Sequence, residues 1–211
     1  MRKLRFITPL LIVAVLVVFA LAQDEEDPWA WVPAGGCELI LEVVDSCTDC
    51  DELVTILTTE QDQEAWKTYF EGKASSRTND TDEQIGEGAL AGLTEQQIQT
   101  LIDYAAINLP VDAEALPEDP AEITCEILPT AGKLLTLQYC LSCHPISVAA
   151  YEDRDYDGWM MLLDGRTHLQ VLEGNDFTDA MTETMARWLA NSMPIPEEDI
   201  PEEHRGLPPG Y

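Results

Sequence analysis

An apolar run from Phe6 to Leu21 opens the chain, with Arg2, Lys3 and Arg5 ahead of it and the small-residue end Ala20-Leu21-Ala22 before Gln23 and an acidic stretch. A basic start, an apolar centre and a small-residue close predict a secretory signal peptide over 1–22. An uncleaved membrane anchor is the alternative, because the run approaches bilayer-spanning length. Beyond it the apolar positions recur at helical spacing. Leu53, Ile56 and Leu57 form one such set, and Ile98, Leu101, Ile102 and Ala105 form another that ends before Pro110. Thr94-Glu95-Gln96-Gln97 predicts a capping box at the start of the second set. Thr178-Asp179-Ala180-Met181 predicts a similar start, with Met181, Met185, Trp188 and Leu189 on one face. No stretch alternates apolar and polar residues as a strand would, so the fold class is mainly α.

The same pattern occurs twice. Cys37-Glu38-Leu39-Ile40 aligns with Cys125-Glu126-Ile127-Leu128, and Cys47, Cys50 and Asp51 align with Cys140, Cys143 and His144. At equal offsets after the second cysteine come Trp66 and Trp159, then Gly72-Lys73 and Gly165-Arg166. Tyr104-Ala105-Ala106-Ile107-Asn108-Leu109-Pro110 matches Trp188-Leu189-Ala190-Asn191-Ser192-Met193-Pro194. This repeat predicts two small helical domains in tandem, over 37–110 and 125–194. Residues 23–36 form an N-terminal extension, and an insertion between Gly72 and Tyr104 reads as a longer surface loop. An acidic, proline-containing linker fills 111–124, and the proline-rich tail over 195–211 is expected to be extended.

Charge narrows the partners. With 40 acidic and 11 basic residues the chain carries a formal charge of −29, and loss of Arg2, Lys3 and Arg5 with the leader would lower it by three more. Nucleic acid and anionic membrane surfaces are excluded as partners by repulsion. The acids are spread along the whole chain, which suits a solvated surface outside the cytoplasm. An acidic docking face for a basic redox partner is compatible with it.

Cys140-Leu141-Ser142-Cys143-His144 is a c-type haem attachment pattern. Two thiols three positions apart on a helical turn reach the two vinyl groups on one porphyrin edge. The next residue, His144, then supplies an imidazole nitrogen to the iron as proximal ligand. A redox dithiol or half of a zinc site is the competing reading, but the chain has only three histidines and no second ligand set at zinc spacing. One covalent haem c is the expected cofactor.

On these residues the chain resembles the cytochrome c family, well over 125–194 and as a degenerate copy over 37–110. The resemblance implies that the last helix packs across the first with an aromatic residue at the crossing, a place that falls to Trp188 and, in the first copy, to Tyr104. The family usually takes a methionine as sixth iron ligand from the loop before the final helix. Here the loop from Gly165 to Phe177 has none and carries His168 instead. Met160, Met161, Met181, Met185 and Met193 are the alternatives, and an open site is a further one. His204, in the acidic tail, is expected to be exposed.

In the first copy Asp51 stands where the proximal histidine would be, Ser75 matches His168, and Leu109 matches Met193, so no haem is expected there. Cys47 and Cys50 could form a local disulfide or still hold a haem through thioethers. Cys37 and Cys125, one at the head of each copy, could pair between the copies.

The expected function is electron transfer by an exported, periplasmic or extracellular monohaem cytochrome. It would act alone or as the haem subunit of a larger oxidoreductase, with another extracytoplasmic oxidoreductase or cytochrome as redox partner. A carrier is favoured over a catalyst, since no catalytic triad, nucleotide loop or metal cluster is present. The alternative is a peroxidase-like haem enzyme or a haem-based ligand sensor with an open distal site.

Overall fold

The computed structural model describes residues 27–45, 51–74, 90, 92–174 and 177–205. The segment 1–22 predicted as a signal peptide, Cys47, Cys50 and Ser75 lie outside these residues. The described residues form nine α-helices and no strand, which is the mainly α fold that the helical periodicities predict. None of these helices is long and apolar enough to cross a membrane. The chain divides into Met1–Val32 and Pro33–Tyr211. The described part of the first unit is a turn in which Ala30 N donates to Asp27 O and the Trp29 and Trp31 rings lie 6.5 Å apart.

Within Pro33–Tyr211 the helices are α1 (Gly36–Asp45), α2 (Asp51–Thr58), α3 (Gln63–Ala74), α4 (Glu95–Asn108), α5 (Gly132–Cys140), α6 (Ser147–Ala150), α7 (Tyr156–Leu163), α8 (Arg166–Glu173) and α9 (Asp179–Ser192). Their starts follow from local chemistry. Thr94 accepts from Gln97 N while the Gln97 side chain accepts from Thr94 N, the capping box expected for α4. Thr178 accepts from Met181 N at the start of α9. Asp62 accepts from Ala65 N and Asp155 from Gly158 N, which caps α3 and α7 three residues after each acid.

The repeat recurs in the packing. In both halves the last helix packs on the first, α4 on α1 and α9 on α5, and on the Trp-bearing helix, α4 on α3 and α9 on α7. Both last helices run into a cis X-Pro bond, Leu109-Pro110 and Met193-Pro194. The following residue is then tied back to an earlier helix: Val111 N donates to Leu57 O and Ile195 N to Ala150 O, each at 2.8 Å. At the first crossing a Cβ on Gly36 would overlap the Cβ and ring of Tyr104; at the second, a Cβ on Gly132 would overlap Trp188. Glycine at these two places is therefore a condition of close helix approach.

The halves pack on each other through α4 and α9, and matched positions meet there. Thr100 and Thr184 are both buried, and Asp103 lies 3.7 Å from Arg187. The Tyr104 hydroxyl donates to Pro129 O and the Trp188 indole to Ala34 O, so each aromatic bonds to the other half. Self-complementary contact of this kind is what a twofold dimer shows between subunits. The buried Asp103 carboxylate accepts from Gln63 and Gln99 on one oxygen and from Asn191 on the other, so it is satisfied from both halves. Lys133, itself buried, reaches Glu38 at 3.2 Å.

A disulfide joins Cys37 to Cys125 with Cα atoms 5.7 Å apart. The two cysteines match in the sequence alignment but are not equivalent in the fold. Cys37 lies in the first turn of α1 directly after Gly36, whereas Cys125 precedes α5 and its glycine, so the register set by the two crossings pairs Gly36 with Gly132. The segment over 111–124 contains 3-10 turns at Ala113–Ala115 and Pro120–Glu122, and it joins two halves that belong to one compact unit. The tail is not simply extended. It makes 3-10 turns at Glu197–Asp199 and Glu202–His204, buries Ile195 and Ile200, and leaves His204 half-buried where exposure was expected.

Candidate functional site

Tyr139 and Cys140 end α5, and the chain then turns so that Cys143 N and His144 N both donate to Cys140 O at 3.2 Å. That turn carries the two thiols and the imidazole along one edge of a cavity of about 110 Å³. The cavity is lined on this side by Tyr139, Cys140, Cys143 and His144, and by Leu163 of α7 and Thr167, His168 and Leu172 of α8. Cys140 and Cys143 are free thiols, in contrast to the bonded pair Cys37 and Cys125. Burial, with the neighbouring Cys143 second, pushes the Cys140 thiol up from 9.0 to about 11, so it stays protonated at neutral pH. His144 Nδ1 lies 3.1 Å from Pro145 O. A carbonyl only accepts, so this contact places the proton on Nδ1 and leaves Nε2 with a free lone pair.

The segment from Gly165 to Phe177, expected as a loop, is largely helix: α8 starts directly after Gly165. Its periodicity puts His168 and Leu172 one turn apart on the cavity side. Among the candidates for sixth ligand, His168 alone lines the cavity. Met160 is half-buried on α7 and Met161 is 77% exposed. Met185 and Met193 are buried on and just after α9, and Met181 is half-buried on α9. His204 is in the tail and does not line the cavity.

The donor set fits a covalently attached haem: two free thiols three apart, an imidazole with an oriented tautomer, and apolar walls. In the first half most positions that match the cavity lining, Cys47, Cys50 and Ser75 among them, lie outside the described residues. Phe70 stands where the second half has the cavity-lining Leu163, and it is buried and stacked on Trp66 at 5.4 Å within a core that includes Leu39, Leu53, Leu57 and Leu101. Buried Trp159 Nε1 has no hydrogen-bond partner, but neither does the matched Trp66 Nε1. That feature belongs to the repeat and not to the cavity.

No family model, curated protein or solved structure matches the chain. The chemistry of the site is therefore argued from its own residues. Sequence reasoning found Cys140, Cys143, His144 and His168; it missed Tyr139, Leu163, Thr167 and Leu172, which carry no distinctive motif.

Proposed function

We propose that this chain is an exported monohaem c-type cytochrome whose work is electron transfer, alone or as the haem subunit of a larger oxidoreductase. The observation that carries this is the convergence of free Cys140 and Cys143, His144 and His168 on one apolar cavity. When bound, haem supplies a one-electron Fe(III)/Fe(II) couple. Cys140 and Cys143 would hold it covalently, as thioethers to its two vinyl groups. His144 would hold the iron through Nε2, with Nδ1 bonded to Pro145 O. Leu163 and Leu172 keep water from the group.

Two further observations support the setting. The Cys37–Cys125 disulfide suits an oxidising compartment outside the cytoplasm. The acidic charge of −29 favours a basic or salt-screened redox partner over nucleic acid or an anionic membrane. In the first half, the replacement of the proximal histidine by Asp51 and of Leu163 by the buried Phe70 supports a structural, haem-free role.

The test is expression of the full chain in cells with a cytochrome c maturation system, followed by intact mass and a pyridine haemochrome spectrum. One haem per chain is expected, lost in the Cys140→Ala/Cys143→Ala variant. A chain that takes no haem would overturn the proposal, and two haems would overturn the haem-free first half.

A further inference from the structure

The helix that carries His168 is the least supported of the long walls around the cavity. Among the described helices, α8 packs chiefly on α7, its neighbour in sequence, and that contact is small. At its end Phe177 N donates to Leu172 O and the Phe177 ring meets Tyr139 edge-on at 4.7 Å, so the segment is tied down beyond the helix. Between these ties the inward face of α8 consists of Thr167, His168 and Leu172, which look into the cavity.

His168 has no hydrogen bond or ion pair with any described residue, unlike His144. An imidazole half-buried against apolar walls loses hydration without gaining a protein partner, a cost that a bond to a bound group would offset. None of the methionines lines the cavity, so no thioether competes at this place.

We propose that His168 is the second axial ligand of the haem iron, and that this bond holds α8 in place over the cofactor. The inference rests on the haem reading above and adds to it a closed, bis-imidazole site. Such a site disfavours the peroxidase-like and sensor alternatives, which need an open position, and it gives a lower potential than a thioether ligand would. It also assigns a structural role to the cofactor: α8 has little protein core beneath it, and the haem is the surface on which it packs.

The experiment compares the haem-loaded full chain with His168→Ala and His168→Met. The parent should be low-spin in both oxidation states, without the near-infrared band of methionine ligation. His168→Ala should keep its covalent haem, become high-spin and bind added cyanide, and added imidazole should restore the low-spin spectrum. His168→Met should gain the near-infrared band and a higher potential. Amide exchange over 166–173 should speed up in His168→Ala and slow again with imidazole, while α9 stays protected; a merely structural histidine would not respond to imidazole. An unchanged low-spin spectrum in His168→Ala, or a methionine band in the parent, overturns the ligand assignment while leaving the haem reading intact. A parent without covalent haem removes both, and its mass spectrum tells that failure from the first.

Discussion

The crossing of α5 and α9 can be probed with a single methyl group. A Cβ on Gly132 would overlap Trp188 Cβ and lie 2.8 Å from both Trp188 Cγ and the carbonyl oxygen of Thr184. None of these atoms is the free end of a flexible chain, so the overlap is relieved only if the helices part. Forcing a methyl group into a packed contact costs about 1–3 kcal/mol, and this site should fall at the upper end. Replacing glycine in a helix returns up to ~1 kcal/mol, which leaves Gly132→Ala destabilised by roughly 2 kcal/mol, or about 4–8 °C in Tm for a chain of this size. Gly36→Ala meets Tyr104 in the same way and should behave alike. Gly72→Ala has nothing within 4 Å of the new methyl and should instead stabilise α3, by about 0.5–1 kcal/mol. Guanidinium unfolding of the three variants, followed by far-ultraviolet circular dichroism, reads all three signs together. If Gly132→Ala and Gly36→Ala match the parent or gain stability as Gly72→Ala does, the close approach at the crossings is refuted.

Burial holds the Tyr104 phenol well above its ordinary 10.0. As pH passes 10 the unfolded chain therefore loses this proton while the folded chain keeps it, and stability falls with rising pH. Tyr104→Phe should flatten that alkaline decline and, at pH 7, cost about 1 kcal/mol for the lost bond to Pro129 O; urea titrations at pH 7 and 10.5 check both. Asp103→Ala should cost about 3 kcal/mol, because it removes the shared acceptor of three amides at the junction of the halves and leaves Arg187 only Glu183; a loss near zero in chemical denaturation would refute the junction role. Opening the disulfide with Cys37→Ser/Cys125→Ser releases a closure of 88 residues and should cost about 4.6 kcal/mol by chain entropy, measured the same way. In haem-free protein iodoacetamide should label exposed Cys143 before Cys140, whose thiol is pushed up to about 11; peptide mass mapping gives the order.

Helices α2, α4 and α9 were legible because their signals are local: an apolar stripe, a hydroxyl cap, and a proline just past the end. The helix α8 was not, since Arg166–Glu173 is short, polar in composition and bounded by Gly165 and Gly174, all of which also describe a loop. The register of the first helices was misread for a different reason. Cysteines are conspicuous and glycines are not, yet the contact that fixes the register is made by the absence of a side chain at Gly36 and Gly132. In the same way the Cys-x-x-Cys-His residues could be read directly, while the choice of His168 over five methionines depends on which helix face meets the cavity.

The disulfide has a topological consequence. Cys37 and Cys125 close a covalent ring that contains nearly all of the first half together with the connection at 111–124. A single cut anywhere inside that ring leaves one molecule in two spans, still joined through sulfur, with the Asp103 contacts still in register. A protease that nicks the acidic connection would therefore not release the second half as a separate particle. Only a cut combined with a reductant would, which makes the assembly durable in the oxidising, protease-exposed surroundings where such a bridge persists.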